Sequence, residues 1–155
     1  MKIVNMNELS KEQIEQAAWI LTQEIKEGWP EFKDAMKEVE KRLIPENTLL
    51  AAVEGGEVLG WGGILNTFYN GNYIELHPLA VKKEHHKKGI GRAIVTALEE
   101  EARKKQAKIM WLGADDEREG GETSLANKDL FDDIPKHLAE FDPKNHQSAF
   151  YMKIG

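Results

Sequence analysis

The chain has 155 residues, enough for one domain with a full core and too few for two ordinary ones, and it carries a formal charge of −6. It contains no cysteine, which excludes disulfides, thiolate zinc sites and a cysteine nucleophile. Duplex nucleic acid demands a basic face, so the acidic balance argues against nucleic acid as the main partner and suits a cationic one better.

Met1 to Asn7 lacks the apolar run of a signal peptide, and no later segment reaches the length of a membrane span, so a cytoplasmic protein with no membrane partner is expected. Residues 2–6 alternate enough for a short first strand. Ser10-Lys11-Glu12-Gln13 is a capping-box pattern. Ile14, Ala17, Ala18, Leu21 and Ile25 then recur at helical spacing and predict a helix over about 11–27, ended by Gly28. Pro30 is expected at the first position of a second helix through Phe32, Ala35, Met36, Val39 and Leu43, with Pro45 closing it.

From Thr48 the texture changes. Leu49 to Val53, a turn at Gly55-Gly56 and the run Val58 to Leu65 predict a β-hairpin with a glycine-rich second strand. Gly60, Gly62 and Gly63 mark either a bulge, the preferred reading, or a ligand-facing surface. A turn at Asn70-Gly71-Asn72 leads into a strand from Tyr73 to Val81, in which Glu75 and His77 share a face if the strand is regular.

Next comes His86-Lys87-Lys88-Gly89-Ile90-Gly91-Arg92, which opens a helix reaching about Lys105. Glycines that admit close backbone approach, a helix N-terminus and flanking cationic side chains make an anion cradle. Ile94 stands where a dinucleotide fingerprint wants its third glycine, and no Walker A pattern occurs, so neither a nicotinamide site nor a P-loop fits. The helix places Ile90, Ala93, Ile94, Ala97, Leu98 and Ala102 on one face. Ile109 to Leu112 is expected as a buried strand parallel to the one before the helix. An acidic loop, Asp115 to Glu122, follows; a solvated loop is the first reading and a cation-binding rim the alternative. Short helical pieces broken by Pro135 and a final helical turn over 145–152 complete the chain.

Taken by spacing, Glu75 and His77 are either a general base with its neighbour or two polar residues on a half-exposed strand. Five histidines are present, yet none shows metal-ligand spacing, so no metal is expected. Trp19, Trp29, Trp61 and Trp111 read as core or pocket wall, because the basic groove of a single-strand binder is missing.

Residues 86–91 resemble the Gln/Arg-x-x-Gly-x-Gly/Ala pyrophosphate signature of the GCN5-related N-acetyltransferases, with His86 in place of Gln or Arg. The stretches Glu75 to Val81, Leu112 to Glu117 and Thr123 to Leu125, Trp29-Pro30, and Asn145 with Phe150 to Gly155 are similar to the aminoglycoside 6'-N-acetyltransferase branch. The resemblance implies one acetyltransferase domain over 1–155 of α/β (α+β) class. Its mixed, mostly antiparallel sheet would be flanked by helices, without the two C-terminal strands common in the family. It implies acetyl-CoA as co-substrate, a cationic amine as acceptor, and self-association as a homodimer to cover the open sheet edge. By this likeness His86, Lys87, Lys88, Gly89, Ile90, Gly91 and Arg92 hold the pyrophosphate and Asn145 contacts the cofactor. Backbone donors at Leu79 and Val81 polarise the thioester. Glu75 is the base with His77 beside it, Tyr151 is the acid, and Trp29, Asp115 and Asp116 face the substrate. The alternatives are a non-catalytic acetyl-CoA-binding module and an acetyltransferase for a polyamine or protein amine.

Overall fold

The computed structural model describes residues 1–68, 72–113, 135, 136, 139, 150 and 151. The chain divides into two compact units, Met1–Leu112 and Gly113–Gly155. The first unit holds a five-stranded sheet in the order β1-β2-β3-β4-β5, formed by β1 (Lys2–Asn5), β2 (Thr48–Glu54), β3 (Glu57–Phe68), β4 (Tyr73–Val81) and β5 (Ile109–Trp111). Neighbours are antiparallel through β4, and β5 pairs parallel to β4. Three helices accompany it, α1 (Lys11–Glu24), α2 (Phe32–Arg42) and α3 (Ile90–Lys104). In the second unit Pro135, Lys136, Ala139, Phe150 and Tyr151 are helical. Among the described residues no helix is long and apolar enough to cross a membrane.

The start of α1 follows its sequence. Ser10 Oγ accepts the Gln13 amide at 3.3 Å and Gln13 Oε1 accepts the Ser10 amide at 3.1 Å, so two donors that a helix start leaves unpaired are satisfied together. Its end comes earlier than periodicity predicts. Ile25 leaves helical geometry, and its carbonyl takes both the Gly28 and Trp29 amides, at 3.2 and 3.0 Å. Gly28 therefore lies in a turn beyond the helix. Pro30 is likewise outside α2. The cap is Glu31, whose carbonyl accepts the Asp34 and Ala35 amides, and the helix buries Ala35 and Val39.

Helices cover both faces of the sheet. Trp61 is fully buried, and its indole N–H donates to the Ala17 carbonyl of α1 at 2.9 Å. A Cβ at the next residue, Gly62, would point the other way and meet Ile94 of α3 at 3.2 Å. Successive side chains of a strand face opposite sides, so α1 lies on one face and α3 on the other. With α1 and α2 pack Met6, Leu21, Val39, Leu49, Val58 and Ala80.

Of the two roles the sequence left open for the β3 glycines, the bulge is present, and the close approach is made by a strand. Between β2 and β3 the register shifts at Ala52/Val53, the bulge expected there. The close approach also exists, and what approaches is β4. A Cβ on Gly60 would lie 2.8 Å from the Ala80 carbonyl oxygen and 2.9 Å from Val81 Cα, and one on Gly63 would lie 3.1 Å from the His77 carbonyl and collide with Leu49 Cδ2. A second shift follows in β4. Gly62 faces Leu79 while Ile64 faces Leu76, so β4 spends one extra residue around His77-Pro78, whose peptide bond is cis.

Two expectations are corrected. The segment at Ile109 is exposed rather than buried, with Ile109 44% and Trp111 38% accessible, because β4 is its single strand neighbour among the described residues. Trp19 is neither core nor pocket wall. It points outward from α1, 52% exposed, and stacks on Phe32 at 4.7 Å.

Gly60→Ala must push apart two backbones and should cost about 1–3 kcal/mol. Urea denaturation against the parent protein measures this; an unchanged midpoint would disprove the packing account.

Candidate active site

The site grows out of the misfit between β4 and its two neighbours. On the β5 side, pairing covers Tyr73, Ile74 and Glu75 and stops at Glu75 opposite Trp111, while β4 runs on to Val81. On the β3 side, the Lys82 amide donates to the Leu59 carbonyl at 2.9 Å. Antiparallel pairs alternate between bonded and non-bonded positions, the latter with closer Cα atoms. Leu59 with Lys82 and Trp61 with Ala80 are therefore bonded pairs. Gly60 with Val81 and Gly62 with Leu79 are non-bonded ones, which agrees with the short Cβ clearances at those glycines. The peptide groups of Leu79 and Val81 consequently point away from β3, toward the side that β5 has left.

The extra residue at His77-Pro78 also inverts the alternation of β4. Glu75 pairs with Leu65, on the face of α1 and α2. His77 shares that face, with its ring 5.8 Å from the Trp29 ring. Beyond the bulge, Leu79 and Val81 lie on the α3 face, where the absent side chains of Gly62 and Gly60 would touch them. One strand thus presents acid–base side chains to one face and backbone plus apolar side chains to the other.

His77 is half-buried, and that burial pushes its imidazole below the usual 6.5; the Glu75 carboxylate opposes this, Arg42 adds to it and Glu38 opposes it. Arg42 and Glu38 belong to α2 and pair with each other at 2.6 Å. The sequence reading missed them, although their i, i+4 spacing was visible.

After β4 a short 3-10 turn, Lys83–His85, leads into the cradle. Lys87 has φ 60° and Gly89 φ 82°, both left-handed, and Gly89 is the N-cap of α3. A glycine there offers no side chain to the first-turn amides, whose acceptors must come from outside the helix. Lys87, Lys88, Gly89 and Arg92 are exposed, Gly91 is partly exposed, and Ile90 is buried and anchors the helix start. His86 turns back toward the protein. Its Nε2–H donates to the Val81 carbonyl at 2.7 Å, with Glu24 Oε2 at 3.8 Å. Glu24 is the other residue the sequence reading passed over. An acid in the last turn of a helix opposes the helix dipole, which marked it as needing a local partner.

The structure therefore brings together Trp29, Glu75 and His77 on one face of β4, and Leu79, Val81 and residues 86–92 at its end. Tyr151 is in the second unit, with the Phe150 ring edge-on at 5.1 Å, and burial pushes its phenol above the usual 10.0. Asn145, Asp115 and Asp116 lie outside the described residues. At the far sheet edge a cavity of about 400 Å³ is lined by Lys2, Glu8, Gln13 and Glu54 among others; no residue selected from the sequence takes part in it. Among the described residues no three His, Asp or Glu side chains are grouped to hold a metal ion.

The model of the acetyltransferase (GNAT) family matches residues 12–121. An aminoglycoside 6'-N-acetyltransferase solved with coenzyme A is similar over 100% of this chain and 84% of its own, with 29% identity and a TM-score of 0.84. The aminoglycoside 6'-N-acetyltransferase from Enterococcus faecium has the same identity and coverage with a TM-score of 0.81. An aminoglycoside 6'-acetyltransferase type Ii gives 26% identity over 100% of this chain and 82% of its own, with a TM-score of 0.74. No curated protein matches the sequence.

Because the fold favours neutral His77, its contribution to stability is complete above pH 6.5 and is lost as pH falls through the lowered folded value. Thermal melts from about pH 7.5 down to about pH 5 should fall less steeply for His77→Gln than for the parent. Parallel curves would exclude a folded-state lowering of the His77 pKa.

Proposed function

The chain belongs to the acetyltransferase (GNAT) family, and from that premise we propose that it transfers the acetyl group of acetyl-CoA to a primary amine of an aminoglycoside. One observation carries the reading. The end of β4 has outward-facing peptide groups with no β5 beside them, and it leads directly into a glycine-capped helix start flanked by Lys87, Lys88 and Arg92. A long, phosphate-ended thioester suits that arrangement, since its pyrophosphate takes the helix amides and cationic side chains, and its pantetheine arm needs a row of backbone partners.

The chain's own groups then divide the work. Lys87 to Arg92 bind the pyrophosphate. The Leu79 and Val81 amides orient the thioester carbonyl and stabilise negative charge on its oxygen, an oxyanion-type contribution. The acceptor binds on the other side of β4, against Trp29. An amine attacks only when neutral, so Glu75, directly or through a water, takes its proton, with neutral His77 beside it. The amine nitrogen bonds to the acetyl carbon, the carbon–sulfur bond breaks, and Tyr151 gives its proton to the departing thiolate. Its phenol, raised by burial, is fully protonated at neutral pH and so available as an acid. No covalent intermediate on the protein is involved.

For the acceptor, the similarity to three aminoglycoside acetyltransferase structures and the net charge of −6 both support a polycationic amine. The acidic stretch from Asp115 is its suggested rim, and Asn145 a further cofactor contact.

Incubation with acetyl-CoA and tobramycin, spermidine or a lysine peptide, read by mass spectrometry, should add one acetyl group to tobramycin alone. Acetylation of only spermidine or the peptide would move the acceptor assignment, and none at all would leave a binding module. Glu75→Ala and Tyr151→Phe should each lower kcat by about 10²–10⁴-fold, the range of a general acid or base, with little change in acetyl-CoA affinity. Unchanged rates for both would refute the assigned roles.

A further inference from the structure

Resting on the acetyl-CoA reading, we infer that Glu24 and His86 form a latch that sets the cradle in register with the end of β4. The two cofactor-facing parts of the site are separate pieces of backbone. The outward amides of Leu79 and Val81 belong to the sheet, and those of residues 90–92 belong to the first turn of α3, with Gly89 its N-cap. A ligand that uses both needs the intervening residues, 82–87, held at one length and angle.

Four amides of that segment, those of Lys82, Lys83, His85 and His86, have hydrogen-bond partners. The Val81–Lys82 peptide is fixed on both sides, its N–H donating to the Leu59 carbonyl at 2.9 Å and its carbonyl accepting from His86 Nε2–H at 2.7 Å. Inside the resulting loop, the His85 amide donates to the Lys82 carbonyl at 2.8 Å and the His86 amide to the Lys83 carbonyl at 3.1 Å. The remaining amide at the start of the turn, that of Lys83, donates to Glu24 Oε1 at 2.9 Å. The other oxygen of the same carboxylate lies 3.8 Å from His86 Nε2. Glu24 is the last residue of α1 and its side chain is 17% exposed against 51% for His86, so the carboxylate is a partly buried strut from α1 to the turn. His86 thereby acts at the position where the family motif has Gln or Arg, but by bonding the strand rather than the ligand. It is a positioning residue.

The test pairs acetyl-CoA calorimetry and steady-state kinetics with hydrogen exchange on the unliganded protein. His86→Ala should raise the Kd and KM for acetyl-CoA about five- to tenfold, the worth of one hydrogen bond, and leave the KM of the amine acceptor unchanged. His86→Gln, whose amide N–H can donate to the same carbonyl, should recover most of the loss. Glu24→Ala should weaken acetyl-CoA similarly, and the double variant should lose less than the product of the two, as coupled residues do. Amide exchange at Lys82 to His86 should quicken in both single variants with the melting temperature nearly unchanged. Normal acetyl-CoA affinity in His86→Ala, no rescue by Gln, or strictly multiplicative losses would each overturn the latch. If the parent bound no acetyl-CoA while exchange still quickened, the latch would stand and the acetyl-CoA reading would fall.

Discussion

The close contact between β3 and β4 is the constraint on which the rest depends. Glycines in β3 let the neighbouring backbone come close, with 2.8 Å between a Cβ at Gly60 and the Ala80 carbonyl oxygen and 3.1 Å between one at Gly62 and the Pro78 carbonyl oxygen. That nearness fixes which peptide groups of β4 bond to β3 and which turn outward. It also fixes the face on which each side chain of β4 falls. The glycines touch no proposed ligand, but they decide where every ligand-facing group on β4 can be.

Around this contact the two helical layers have different tasks. On one face α1 and α2 bury Trp61 and Val39 and bring Trp29, Glu38 and Arg42 toward His77. Burial there lowers the imidazole's pKa, with Glu75 and Glu38 opposing and Arg42 adding to it. On the other face α3 packs Ile94 against the glycine strand and directs its N-terminus to the end of β4. The end of α1 contributes once more, through Glu24, to the turn that joins β4 to α3. A mixed sheet with an incomplete parallel pair thus becomes a site because three helices meet the strand where its pairing lapses.

Much of this was legible in the amino-acid order. The capping box at Ser10, the hairpin at Gly55-Gly56, the strand from Tyr73 to Val81 and the helix after Gly89 are local patterns, and the structure places them within a residue or two. The shared face of Glu75 and His77 also followed from period two. What escaped were features set by tertiary contacts. Pro30 looked like a helix start because propensity takes no account of the turn that Ile25 builds. Ile109 and Trp111 looked buried because apolar runs usually are, and a run cannot say how many strands flank it. The partner of His86 was invisible for a similar reason. A ring five residues beyond Val81 is free to face ligand or protein, and Glu24, which lies 3.8 Å from it, is 62 residues earlier in the chain.

The inversion of alternation at His77-Pro78 has a consequence for how such a protein can change over generations. Replacing a side chain on β4 alters one contact, whereas removing or adding one residue near the bulge would move every later side chain to the opposite face. Leu79 and Val81 would then lie on the face of α1 and α2, and their peptide groups would bond to β3 and close the open side. Variation along this strand is therefore confined to exchange of residue types at constant length. Residue types around Trp29 and His77 can be exchanged without disturbing this, while the length of β4 stays locked by its two registers with β3.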